Sequence, residues 1–216
     1  MWKQFVAFMA TLLCAFSAQA AALMGFADSV MVMGEATEDY QEVMANYSPV
    51  IGRAYGVEFM RMRDKDGMLS SISALNYTHI FKRWNMPGGQ ANLWFTGGIG
   101  ESHGNGQSGF AWTPGVQFDY ETKRLYFLAK MRMVRAPGMN FDTAAVQAGF
   151  SFYETGFDET QPWFVLEAKT MNNMDPGFQL TPSLRFINKN YFIEAGVTQP
   201  FDREARMPRL SLMFVF

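Results

Sequence analysis

The chain has one cysteine, Cys14, and only two histidines, His79 and His103, in 216 residues. There is no Cys- or His-rich tract from which a metal site of the usual soft or borderline kind could be built. An excess of positive charge is also missing, since 18 Lys and Arg stand against 20 Asp and Glu. Nucleic acid is therefore excluded as a partner, because binding its phosphates requires a basic surface. Long apolar runs are absent as well. Beyond the N-terminus no segment reaches the roughly twenty uncharged apolar residues that a spanning helix needs. Yet 49% of the residues are hydrophobic and 16% aromatic, so the apolar content must be spread by alternation.

The N-terminus departs from this alternation, with an apolar run still too short for a spanning anchor. Lys3 is followed by an apolar stretch over residues 5–16 and then by Ser17-Ala18-Gln19-Ala20, whose small residues occupy the positions an exporting peptidase reads. This predicts a signal peptide over 1–20, cleaved after Ala20, and one domain over 21–216. Leu13 is too large to precede a lipid-modified cysteine, so Cys14 leaves with the signal and the mature, mildly acidic chain has no thiol.

A period of two predicts strands near 28–35, 41–48, 52–63, 70–82, 90–100, 109–120, 124–134, 141–153, 162–172, 177–187, 190–199 and 207–216. Phe178, Leu180, Leu184 and Phe186 share one face while Gln179, Thr181, Ser183 and Arg185 share the other. Tyr191, Ile193, Ala195 and Val197 likewise oppose Glu194, Gly196 and Thr198. A 3.6-residue period would scatter these sets around a helix. Two prolines fall inside the pattern, Pro114 and Pro182, each after a threonine, and proline cannot donate to a ladder. A bulge, or a strand starting near the proline, resolves this. The first two strands are short and acidic, so a ten-stranded arrangement with 21–50 as a periplasmic or plugging segment is the alternative to twelve.

The final residues, Met207-Pro208-Arg209-Leu210-Ser211-Leu212-Met213-Phe214-Val215-Phe216, alternate and stop on Phe. Together with the export signal, this resembles the closing strand of Gram-negative outer-membrane β-barrels. The resemblance implies an all-β, transmembrane, antiparallel up-and-down barrel in the outer membrane. It also implies a C-terminal assembly signal formed by Leu210, Leu212, Phe214 and Phe216 and read by the barrel-assembly machinery. Contacts with outer-membrane lipid and lipopolysaccharide follow, and a monomer is the default. With the terminal Phe on the periplasmic side, the external loops are 37–39, 64–67, 101–108, 135–138, 173–176 and 202–206. They are short, which leaves little beyond wall and lumen to carry function.

Assigning the more apolar face of each strand to lipid sends Tyr55, Val57, Phe59, Leu75, Phe110, Phe164 and Leu166 outward. Trp84, Trp112, Tyr120, Tyr153 and Trp163 fit interfacial girdles. The same parity sends Glu58, Asn76, Asn92, Gln117, Asp119, Lys130, Arg132, Gln147, Glu167, Lys169, Gln179, Arg185, Glu194 and Arg209 inward. Acids and bases are similar in number. Glu58, Glu167 and Glu194 with Lys130, Lys169 and Arg185 thus form either a paired barrel core or a solute-selective constriction.

No cofactor is expected, and no enzyme. Some lipid-degrading barrels of this size use a membrane-facing His-Ser pair with an Asn or acid. His103, within Glu101-Ser102-His103-Gly104-Asn105-Gly106-Gln107-Ser108, has the residue types but not their His-x-Ser spacing, and the segment reads as a turn. The 17 methionines include Met31/Met33, Met60/Met62 and Met131/Met133, each pair on one strand face. Thioethers suit Cu(I); Met60 and Met62 point inward and are the best-placed metal ligands, whereas Met131 and Met133 face lipid. Outward Arg61 and Arg63 can meet lipopolysaccharide phosphates. The function expected is a narrow pore or structural membrane protein, with copper or heavy-metal efflux and a lipid-modifying enzyme as alternatives.

Overall fold

The computed structural model describes residues 23, 25–156 and 158–216; the signal peptide expected over 1–20, with Cys14, lies outside them. The elements are β1 (Ser29–Ala36), β2 (Tyr40–Val50), β3 (Arg53–Arg63), β4 (Leu69–Met86), β5 (Gly89–Gly104), β6 (Gln107–Trp112), β7 (Gly115–Thr122), β8 (Leu125–Ala136), β9 (Met139–Ser151), β10 (Gln161–Met171), β11 (Phe178–Asn188), β12 (Tyr191–Thr198) and β13 (Met207–Val215). Neighbours in sequence pair antiparallel except β6 and β7, which both lie between β5 and β8, and β1 pairs with β13, so the sheet closes.

β6 and β7 are one barrel strand. Ile99 faces Trp112 and Thr96 faces Gly115, so the register against β5 is the same on both sides of Thr113-Pro114. Thr113 N–H still donates to Gly98 O (2.9 Å), and Pro114 O still accepts from Met133 N–H (2.9 Å). Only the missing proline N–H interrupts the strand. Pro182 is absorbed with still less effect: Ser183 pairs with Gly196, and Gln199 N–H reaches Leu180 O three residues along in the same register. The barrel therefore has twelve strands. The acidic segment over 21–50, the candidate plug of a ten-stranded arrangement, supplies β1 and β2 of the wall.

Closure satisfies every strand edge, which any sheet crossing hydrocarbon must do. Val57, Phe59, Leu75, Phe81, Phe110, Val116 and Leu166 are exposed on the outer face, as are the C-terminal Leu210, Phe214 and Phe216. All fourteen residues expected inside do point inward. Trp163 is a correction. It is 1% exposed and packs in the lumen with Tyr126, Leu128, Val165 and Ile187, because it shares the parity of Glu167 and Lys169. The alternation of its own strand overrides the general preference of Trp for interfaces.

The termini of the barrel meet at one end, where Val30 and Phe216 exchange both backbone hydrogen bonds (3.1 and 2.9 Å); we call this end proximal and the other distal. A second correction lies at the distal end. The expected loop 101–108 is mostly strand, since β5 runs to Gly104 and β6 starts at Gln107. Asn105 and Gly106 both have positive φ (53° and 69°), the two-residue turn that an Asn-Gly pair favours.

Candidate functional site

The lumen is layered. Between apolar clusters at its two ends lies a belt of charges bordering a cavity of about 180 Å³.

Arg209 on β13 is the hub of the belt. Its Nη1 donates to Glu167 Oε1 (2.6 Å), its Nη2 lies 3.4 Å from Glu194 and its Nε lies 3.4 Å from Glu35. Glu194 also receives Arg185, Nη2 to Oε2 at 2.6 Å. Arg185 further donates to Gln147 (3.1 Å), and its guanidinium sits between the Tyr126 and Phe192 rings at 4.8 and 4.7 Å. Gln147 in turn donates to Glu167 (2.5 Å). Across the lumen, Arg132 binds Glu42 and Glu58 through its two terminal nitrogens, and Lys169 reaches Glu35 at 3.4 Å. Lys130 faces the cavity, with no carboxylate in ion-pair reach among the described residues. A second inward cluster hangs on Asp119, which accepts from Asn92 (2.7 Å), Trp94 and Gln117 (3.4 Å).

Of the residues expected in a lumen network, Glu167, Lys169, Arg185, Glu194 and Arg209 are joined through shared partners, while Glu58 and Arg132 form a second group with Glu42, which meets the first at Tyr40 through its hydroxyl on Glu42 (2.7 Å) and its ring under Lys169 (5.6 Å). Asp119 stands in its own cluster, and Lys130 makes no ion pair among the described residues but attracts Glu35 and Glu167 at longer range. Glu35 and Glu42 were missed: they lie in the acidic segment that reads as doubtful strand. The available signal was period two, which places Glu35 with Met31 and Met33 and Glu42 with Met44. With them, Lys130, Arg132, Lys169, Arg185 and Arg209 face Glu35, Glu42, Glu58, Glu167 and Glu194, so the belt is charge-balanced. Charged groups this buried persist only when paired and hydrogen-bonded. Arg185 is 2% exposed, and Glu167 and Glu194 are each 1%.

The distal end is closed by apolar side chains. Tyr40, Met60, Met62, Ile72, Val134, Met139, Phe141, Met171 and Met174 form one buried cluster. Above it two loops meet from opposite sides of the barrel, Lys65 N–H donating to Asn173 O at 3.1 Å. Met60 and Met62 thus point inward, as expected, but into this cluster. The proximal end has smaller clusters around Tyr126 and Trp163 and around Ala54 and Trp94, the latter packed by Leu23 and Ile80.

On the outer surface His103 is 60% exposed, with Nε2 3.6 Å from Glu101 Oε2. Ser71 and Ser108 sit directly opposite it on β4 and β6. The Ser71 hydroxyl points at the His103 backbone carbonyl (3.5 Å) rather than at the imidazole. His79 has Nδ1 3.0 Å from Gly52 O. Met131 and Met133 are exposed outside, Arg61 is exposed, and Arg63 pairs with Asp39 (3.2 Å). Among the described residues no group of three or more His, Cys, Asp or Glu is placed to hold a metal.

A closed antiparallel barrel, apolar outside and polar within, is the transmembrane outer-membrane architecture. Among solved structures, LpxR from Salmonella typhimurium is similar with a TM-score of 0.52 at 6% identity, over 87% of this chain and 100% of that one. The KdgM porin has a TM-score of 0.49 at 12% identity, over 87% and 99%. OccK8 from Pseudomonas aeruginosa has 0.41 at 10%, over 88% and 67%. At these identities the likeness is one of fold. No protein-family model and no curated protein matches the sequence.

Proposed function

We propose that the protein is a narrow pore of the Gram-negative outer membrane, closed at rest at its external mouth. In this reading the distal end is external and the proximal end periplasmic, which leaves both termini in the periplasm, as in barrels of this class. The observation that carries the reading is the cavity of about 180 Å³ whose lining, mixed with apolar side chains, includes Glu35, Glu42, Lys130, Arg132, Arg185 and Arg209. A purely structural barrel gains nothing from burying charges around open space, since packed apolar groups are as stable or more so. The belt is balanced in charge, so it favours neither ion strongly. The mature chain acts as a monomer, held by outer-membrane lipid and lipopolysaccharide around its apolar girdle and delivered by the assembly machinery through Leu210, Leu212, Phe214 and Phe216.

Planar-bilayer recording of the folded mature chain tests this. The expected trace is a silent baseline broken by small discrete steps with weak ion selectivity. Unbroken silence from folded protein at every voltage and salt concentration contradicts the pore.

The reading is also non-enzymatic. A serine nucleophile needs an oriented imidazole, and the Ser71 hydroxyl is turned to the backbone instead. His103→Ala is expected to leave folding and any lipid or lipopolysaccharide deacylation unchanged; loss of such an activity contradicts the assignment.

A further inference from the structure

The inward face of the wall brings three thioethers to one level. Met33 on β1 lies directly opposite Met44 on β2 and directly opposite Met213 on β13. Directly opposed residues on adjacent strands have Cβ atoms about 4.5–5.5 Å apart, and a methionine side chain has three rotatable bonds beyond that. The three sulfurs can therefore converge on one point. All three residues line the central cavity and share the inward faces of Glu35, Glu42 and Arg209 on their strands. Met171 lines the same cavity and belongs to the distal cluster with Met60 and Met174, which continues the thioether lining to the external mouth.

We propose that Met33, Met44 and Met213 form a luminal binding site for a soft monovalent cation, Cu(I) or Ag(I). Thioether sulfur is neutral and polarisable. It binds a soft cation well and offers little to Na⁺, K⁺, Mg²⁺ or Ca²⁺, which prefer oxygen. Three sulfurs on adjacent strands give a three-coordinate set, which needs no His or Cys. Asn46 Nδ2 donates to Met44 Sδ at 3.4 Å, which orients this sulfur and leaves its second lone pair free. Glu58 is opposite Met44 on β3, and Glu35 is two residues from Met33 on the same face. These carboxylates offset the charge of an entering cation while remaining tied to Arg132, Lys169 and Arg209. The site needs only that the lumen be reachable from one end. It deepens the pore reading by naming a ligand class, but binding and conduction are measured separately.

The test uses the folded mature chain in detergent, titrated with silver nitrate in chloride-free buffer against a large excess of Na⁺. One Ag(I) per chain is expected to bind tightly. Met33→Leu/Met44→Leu/Met213→Leu preserves volume and hydrophobicity and is expected to weaken binding by more than about tenfold. Met131→Leu/Met133→Leu, on the lipid face, is expected to bind as the parent does. X-ray absorption of the Cu(I)-loaded parent is expected to show sulfur neighbours only, and this stands even if the triple variant does not fold. Absence of binding by the parent, undiminished binding by the folded triple variant, or oxygen and nitrogen neighbours around copper overturns the site. So does loss of binding on Met60→Leu/Met62→Leu alone, which would put the ion at the mouth. A parent that conducts in bilayers but binds no silver removes the site and leaves the pore.

Discussion

Arg209→Met is expected to destabilise the barrel by about 3–5 kcal/mol, the usual cost of leaving buried charges without their partner. Among the described residues Arg209 is the one cation that touches three carboxylates, Glu35, Glu167 and Glu194. Its removal leaves Glu167 with the Gln147 amide as its one hydrogen-bond donor among the described residues, in surroundings where an unpaired charge is poorly solvated. Methionine keeps most of the side-chain volume, so a cavity does not explain the loss. Reversible urea unfolding in detergent or lipid measures it. Adding Glu167→Met to the same chain is expected to recover most of the stability, because Glu35 keeps Lys169 and Glu194 keeps Arg185. A loss below about 1 kcal/mol, the range of solvent-exposed pairs, shows a hydrated belt and contradicts the burial argued above.

The second large effect is on conduction. Phe141→Ala/Met174→Ala is expected to turn rare openings into sustained steps in planar bilayers, with ion selectivity still weak. Both side chains belong to the cluster that fills the distal mouth. Met174 also lies in the loop that crosses it, beside Asn173, whose carbonyl receives Lys65 N–H. Truncating large buried side chains costs about 2–5 kcal/mol each, so heat-modifiable gel mobility must first show a folded barrel. The charge belt is untouched by these substitutions, which is why selectivity is expected to persist. A folded variant as quiet as the parent places the barrier elsewhere in the lumen.

Much of this architecture was legible because a barrel wall is governed by local alternation. Phe178, Leu180, Leu184 and Phe186 declare the lipid face of β11 on their own, and parity alone sends Arg185 and Glu194 inward. Trp163 shows the cost of setting composition above parity: its own strand neighbours Phe164 and Leu166 already placed it inside. Partnership across the lumen is another matter. That Arg132 reaches Glu42 and Glu58, or that Arg209 gathers Glu35 with Glu167 and Glu194, depends on strand stagger and barrel curvature, which no window of sequence contains. The same holds for Met33 meeting Met213 near opposite ends of the chain, a contact made only when β1 and β13 close the ring. The crossing of the distal mouth by the loops around Lys65 and Asn173 left no sequence signal either, since both segments read simply as short polar connections.

The central claim, a luminal cavity closed from outside by the distal cluster, is tested most directly through Ser211. This residue lines the cavity from β13, between Glu35 on β1 and Glu194 on β12. Produced without residues 1–20 the chain has no other thiol, so Ser211→Cys gives a single reporter of nearly unchanged size. Labelling in proteoliposomes by a membrane-impermeant thiol reagent added on the external side is expected to be slow in this variant. It is expected to become fast when Phe141→Ala/Met174→Ala is added. Fast labelling without the added substitutions shows a mouth already open, and failure to label in both backgrounds shows a solid core; either contradicts the closed pore.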